Sequence, residues 1–178
     1  MSLQNTSTEN TSTDGPQEHT VPLPAGRERV FLVVLDDSPE MPVALHYASL
    51  RARATGGRVA LLACLENADF GHWMSVDEII REEALAATQS LFHRWGGEAM
   101  LWSGERPVYY LKEGDLADAL FDLLKTGEIS LLVLAARSGK DGPGPMVSDL
   151  MQSGMSNFGV PVTSVPDTLT DDDLADLT

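Results

Sequence analysis

The chain has 178 residues, of which 43% are hydrophobic, and its 27 acidic residues against 12 Lys and Arg give a formal net charge of -15. This length is most simply one domain with a real core. Such an acidic chain lacks the cationic surface that nucleic acids and anionic membranes require, so we expect neither as a partner. No apolar run reaches the roughly 18 residues of a membrane span. The N-terminus also lacks the basic and apolar regions of a signal peptide, which predicts a cytoplasmic protein.

The chain opens with a polar segment, residues 1–26, whose Ser, Thr, Asn, Gln and Pro content predicts a disordered tail. Residues 27–166 form the predicted domain, in which five apolar strands alternate with four helices. We place the strands at 30–35, 58–66, 105–111, 129–135 and 160–165, and the helices at 39–55, 75–95, 116–126 and 147–158. Residues 167–178 carry five aspartates and are expected to be a disordered acidic tail.

Local signals mark the predicted helix ends. Ser38 is the expected N-cap of the first helix, with Pro39 in its first turn. The adjacent glycines Gly96 and Gly97 are expected to stop the second helix. Cys64 is the one cysteine, so an intrachain disulfide is impossible, and its apolar neighbours predict a buried, inert thiol. The four histidines are scattered, so no zinc site is expected.

Strands that alternate with helices predict a parallel sheet with helices on both faces. Ligands of such sheets bind beyond the carboxyl ends of the strands. The loop at 137–145 follows the fourth strand and contains three glycines, Arg137 and Lys140, so it offers a cationic, glycine-rich place for an anion. The loop does not match a Walker A motif, because Asp141 follows Lys140 where Ser or Thr is required. We assign no catalytic residue.

Three features in this order resemble the universal stress protein family over about residues 29–166. They are the strand end at Leu35-Asp36, Gly114-Asp115 at a helix start, and the closing Gly-Val-Pro-Val at 159–162. The resemblance implies a single doubly wound, Rossmann-like α/β domain whose five parallel strands follow the order 3-2-1-4-5. That order would bring Asp36 and the loop at 137–148 to opposite sides of one crevice, where family members hold a nucleotide.

The phosphate loop of that family has a glycine, two residues, a glycine, nine residues, and then a glycine followed by Ser or Thr. Alignment on Pro161-Val162 puts the three glycine positions on Ala135, Ser138 and Ser148, and the hydroxyl position on Asp149. Glycine is needed where the backbone approaches phosphate closely, so these replacements weaken the case for a nucleotide. A carboxylate at position 149 would repel a phosphate about 4 Å away by roughly 1 to 4 kcal/mol, unless Mg²⁺ bridges the two.

The resemblance therefore assigns a conditional site, for ATP or AMP with Mg²⁺. Its residues would be Asp36, Asp37, Ser38, Ala135, Arg137, Ser138, Gly139, Lys140, Ser148 and Asp149. For the first three residues the alternative is helix capping, which satisfies the helix dipole without a ligand. Both interpretations stay open. No metal site is expected from the protein alone.

The last strand is expected at a sheet edge, and exposed edges invite pairing with a second chain. The resemblance implies an antiparallel homodimer through this strand. Its edge residues are Val160, Pro161, Val162, Thr163, Ser164 and Val165. The alternative is a lone edge protected by proline and by the acidic tail.

Three functions follow as hypotheses. The first is a non-catalytic stress-response protein that acts as a dimer through an unknown protein partner, with weak or absent ATP binding. The second is an ATP- or AMP-binding switch, with slow hydrolysis at most. The third is an enzyme on a similar fold, and for this we find no base and nucleophile that their spacing would bring together.

Overall fold

The computed structural model describes residues 28–65, 74–139, 142–144, 147, 148, 150 and 158–178, with the backbone alone at 74–77. The predicted tail at 1–26, Lys140, Asp149 and most of the predicted fourth helix lie outside these residues. Within the described part, no helix is both long enough and apolar enough to cross a membrane.

Five strands form one sheet in which all neighbours are parallel. They are β1 (Val30–Val34), β2 (Arg58–Leu65), β3 (Val108–Glu113), β4 (Leu131–Ala136) and β5 (Val162–Pro166). Their order is β3-β2-β1-β4-β5, which confirms the predicted fold class and strand order. The central strands are continuous apolar runs because helices cover both of their faces.

Four helices are described. They are α1 (Met41–Thr55), α2 (Met74–Ser103), α3 (Leu116–Lys125) and α4 (Asp171–Asp176). Successive strand residues point to opposite faces, so each strand feeds two apolar layers. Phe31 and Val33 pack with α1 and α2 on one face. Leu32 packs with Leu120 and Leu123 of α3 on the other.

The first helix begins later than predicted. Glu40 is its N-cap residue and makes no capping bond, and α1 starts at Met41. Ser38 does not cap the helix, because its hydroxyl and its N–H both donate to Asp36 Oδ1, at 2.6 and 3.0 Å. The helix turns Met41, Leu45, Ala48 and Ala52 toward the core, where all four are buried.

The second helix does not stop at the glycine pair, so this prediction is wrong. It continues through Gly96 and Gly97 to Ser103, because Trp95 and Ala99 keep an apolar face on the core. Gly96 has a packing role: the Tyr109 side chain occupies the space that a Cβ would need. Each interior glycine costs a helix about 0.5–1 kcal/mol relative to Ala, and close packing offsets this cost at Gly96.

The acidic C-terminal segment is structured, so the expectation of a disordered tail at 167–178 is wrong. Thr170 and Asp173 form a capping box that starts α4. Leu174 is 1% exposed and belongs to the same apolar layer as α1. Asp171 Oδ1 lies 3.0 Å from His46 Nδ1 on α1. Leu174, an apolar residue within an acidic run, therefore attaches the helix to the core.

Candidate functional site

The strand order reverses between β1 and β4, and a crevice opens beyond their carboxyl ends, as doubly wound sheets require. It contains a cavity of about 30 Å³. The described residues that line the cavity are Val34, Asp36, Ser38, Glu40, Met41, Leu134, Ala135, Pro143, Gly144 and Val147. The predicted residues Asp36, Ser38 and Ala135 therefore meet at the predicted place.

Asp36 is partly buried at the end of β1, and Asp37 beside it is exposed. One carboxylate oxygen of Asp36 accepts both hydrogen bonds from Ser38. This turn fixes the side chain toward its own backbone, so Asp36 neither caps α1 nor points freely into the crevice. Ligand contact stays a prediction for its second oxygen.

Glu40 is the crevice residue that the sequence interpretation missed. It is only 4% exposed, and its Oε1 lies 3.1 Å from Arg137 Nη2, so a carboxylate from the start of α1 pairs with the cation of the loop. An acidic residue before a helix normally faces water, and nothing in the spacing shows otherwise. The signal that was present is the cation at 137 on the facing loop.

The loop after β4 closes over this ion pair. The N–H of Arg137 donates to the carbonyl of Pro143 at 3.0 Å, and the N–H and hydroxyl of Ser148 both donate to the carbonyl of Gly144. Gly144 has φ 98°, and a Cβ there would lie 3.2 Å from Glu40 Oε1. The positive φ therefore favours glycine at 144, and a Cβ there would also crowd the carboxylate of Glu40. The hydroxyl of Ser148 is engaged within the loop.

A second carboxylate sits at the same loop. The N–H of Ser138 donates at 2.9 Å to Oδ1 of Asp167, the residue that directly follows β5. Hydrogen bonds from the hydroxyl and the backbone of Ser138 lower the pKa of Asp167. The adjacent Gly139 is exposed. An anion from the chain itself thus takes the N–H of Ser138, one of the loop residues that the resemblance assigned to the site, while Lys140 and Asp149 lie outside the described residues.

The edge of β5 that faces away from β4 carries unpaired backbone groups. The carbonyl of Pro161 accepts from Leu132, and the N–H of Asp167 donates to Ala136, so residues 161, 163, 165 and 167 face β4. In a parallel ladder the alternate residues, Val162 and Ser164, point their N–H and C=O outward. Pro166 directs its carbonyl to the N–H of Leu169 instead. Val165 is buried, whereas Pro161 and Ser164 are exposed.

Neither the cysteine nor the acidic residues form a metal centre within the described part of the chain, where no group of three or more His, Cys, Asp and Glu side chains could hold an ion. Cys64 is partly rather than fully buried, and its thiol donates to the carbonyl of Gly114 at 3.1 Å.

Residues 28–163 match the model of the universal stress protein family. No curated protein sequence matches the chain. Among solved structures, UspA from Lactobacillus plantarum is 17% identical with a TM-score of 0.64, over 79% of this chain and 99% of that one. A universal stress family protein from Burkholderia pseudomallei is 21% identical with a TM-score of 0.54, over 80% and 99%.

A third solved structure is a universal stress protein in complex with cAMP, 14% identical with a TM-score of 0.56, over 80% of this chain and 100% of that one. Identities this low show the shared fold alone. The family match spans most of the chain and agrees with the strand order and the position of the crevice. This chain therefore belongs to the universal stress protein family.

Proposed function

We propose that the chain is a non-catalytic universal stress protein that dimerises through β5 and acts through protein partners, with weak or absent ATP binding. The observation that carries this proposal is the small size of the cavity that the described crevice residues line. This cavity of about 30 Å³ is water-sized, whereas small-molecule pockets typically enclose about 300–1,000 Å³. A nucleotide would have to displace described residues such as Glu40 and Gly144, which line this cavity.

The charges in the crevice support the same conclusion. Among the described residues, Arg137 is the cation that lies at the crevice loop, and Glu40 already neutralises it at 3.1 Å. Asp36 adds a second carboxylate to the lining, and Asp167 holds the N–H of Ser138. Each carboxylate about 4 Å from a phosphate would oppose binding by roughly 1 to 4 kcal/mol.

The edge of β5 supports the dimer. The outward N–H and C=O groups of Val162 and Ser164 form a short template for an antiparallel partner strand. Pro166 and the turn to Leu169 end this template, which limits pairing to a few residues. A second copy of the same strand is complementary by symmetry. The cytoplasmic location stays a prediction from the sequence.

The alternative function is an ATP- or AMP-dependent switch. It is favoured by Asp36 at the end of β1 and Arg137 in the loop, and by the cAMP complex of a protein with the same fold. In that case the conditional site residues of the sequence analysis would hold the nucleotide, with Mg²⁺ between its phosphates and the carboxylates.

Sedimentation equilibrium and the nucleotide content of the purified, denatured protein separate these functions. We expect a dimer mass and no nucleotide in the chromatogram. A stoichiometric amount of ATP or AMP released on denaturation would favour the switch. A monomer mass at all concentrations would contradict the dimer.

A further inference from the structure

We propose that Glu40 is a built-in counter-anion: its carboxylate occupies, beside Arg137, the position that the phosphate of a ligand would take. Removing the Glu40 side chain then turns the crevice into an anion-binding site. This inference rests on the proposed function, because it names the residue that keeps the crevice free of nucleotide.

The position of Glu40 leaves its carboxylate available for this role. It is the N-cap residue of α1, yet its side chain makes no capping hydrogen bond to the helix. The carboxylate turns instead into the crevice, where Arg137 Nη2 lies 3.1 Å from Oε1 and 3.5 Å from Oε2. A buried carboxylate is stable only when it is paired, so the ion pair must persist while the loop is closed.

The arginine of the pair is the more exposed partner. Its side chain is 43% exposed, against 4% for Glu40. The guanidinium therefore directs one N–H edge inward to the carboxylate and keeps the rest of its charge near water. A planar guanidinium is suited to bidentate recognition of phosphate, but the inward edge is the desolvated one where such a bond would be strong.

The loop gives Glu40 the enclosure of a bound ligand. Gly144 packs against it so closely that a Cβ would approach Oε1 to 3.2 Å, and Ser148 fixes Gly144 through its carbonyl. The cavity left beside the carboxylate is about 30 Å³. The negative charge of Glu40 and the small size of the cavity therefore both exclude a phosphate. Two substitutions separate these two effects. Glu40→Gln removes the charge and keeps the volume, whereas Glu40→Ala removes both.

The test is calorimetric titration of pyrophosphate and of ATP into the full chain and its variants. The matched control is Glu113→Gln, which removes an exposed carboxylate paired with Arg81 at 2.6 Å and changes the net charge equally. Cooperative thermal unfolding of each variant shows that it is folded.

We expect Glu40→Ala, which removes both the charge and the volume, to bind pyrophosphate roughly tenfold more tightly than wild type and to extend this gain to ATP, and Glu40→Gln, which keeps the volume, to gain less. The double variant Glu40→Ala/Arg137→Ala should return to the wild-type value, and Glu113→Gln should not differ from wild type. A folded Glu40→Ala protein without any gain would overturn the inference, as would an equal gain in Glu113→Gln. Tight ATP binding by wild type would instead refute the proposed function.

The wild-type protein offers a readout that needs no variant to fold. In ¹⁵N spectra of arginine side chains, the Nη groups of Arg137 should show hindered rotation because Glu40 holds them, and adding pyrophosphate should leave them unshifted. A freely rotating guanidinium that shifts on addition of pyrophosphate would contradict a built-in counter-anion.

Discussion

At the scale of single residues, the crevice is shaped by side chains that satisfy one another. Asp36 takes both donors of Ser38, Arg137 pairs with Glu40, and Ser148 bonds the carbonyl of Gly144. Buried polar groups need partners, and here the chain supplies them itself. A ligand must therefore offer more than the internal contacts that it replaces.

The two adjacent glycines of α2 allow a residue-scale prediction. Gly97→Ala should stabilise the protein by up to about 1 kcal/mol, because the site is open and Ala favours a helix. Gly96→Ala should instead destabilise it by about 1–3 kcal/mol, since the new Cβ meets the Tyr109 ring. Urea unfolding of both variants measures the difference. Equal stabilisation by the two would show that the ring does not pack on Gly96.

At the scale of elements, the segment 167–178, which includes α4, packs back onto the fold after the last strand. The segment that follows β5 holds the Ser138 loop through Asp167, then covers α1 with Leu174. One short acidic segment thus contacts both the crevice loop and the core. Its helix has six residues, too few to be stable alone, so tertiary packing must hold it.

Leucine substitutions in the segment 167–178 test whether Leu174 attaches this segment to the core. Leu174→Ala should cost about 2–5 kcal/mol of unfolding free energy, because the side chain is fully buried. Leu177→Ala is the matched control: it is 55% exposed and should change stability by no more than about 0.5 kcal/mol. Urea unfolding with hydrogen exchange at 167–178 measures both. A neutral Leu174→Ala would mean that the segment does not dock in solution.

The capping box of α4 predicts a pH dependence. Hydrogen bonds from the backbone N–H and the hydroxyl of Thr170 lower the pKa of Asp173 below its ordinary 3.8. Its contribution to α4 is therefore present above that pH and lost as the pH falls through the lower folded value. The helical Cα shift of Leu174 should decline in acid, and Asp173→Ala should show the decline already at neutral pH. Asp172→Ala is the control, and an equal effect of both variants would refute the cap.

At the scale of the whole molecule, the sheet has two edges, β3 and β5, and β5 is the one we propose to pair. Its inward residues bond β4, so pairing at the outer edge leaves the fold of the subunit unchanged. The proposed dimer edge and the crevice are adjacent through Asp167, which follows β5 and binds the loop.

Ser164→Pro tests this edge. The substitution removes an outward N–H that makes no bond to β4, so the subunit should fold while the partner strand loses a donor. We expect a monomer by sedimentation equilibrium, whereas Ser164→Ala should remain a dimer. An unchanged dimer mass for a folded Ser164→Pro protein would place the interface elsewhere.

The apolar runs and their spacing predicted the five strands, and the resemblance added their order and the crevice, with Asp36, Ser38 and Ala135 in it. The sequence was less informative where tertiary contacts override local signals. In the sequence Gly96 indicates a helix end, but the structure packs Tyr109 against it. Asp171 to Asp173 indicate a solvated tail, but Leu174 beside them packs in the core. Glu40 was missed for the same reason, since its direction depends on closure of a loop that lies 97 residues away.

The most direct test of the central claim is calorimetric titration of ATP into the wild-type protein, with and without Mg²⁺. We predict no saturable binding up to millimolar ATP in either condition, because Glu40 neutralises Arg137 and the cavity holds about 30 Å³. Micromolar affinity that is lost in Asp36→Ala would contradict this account and make the crevice a working nucleotide site.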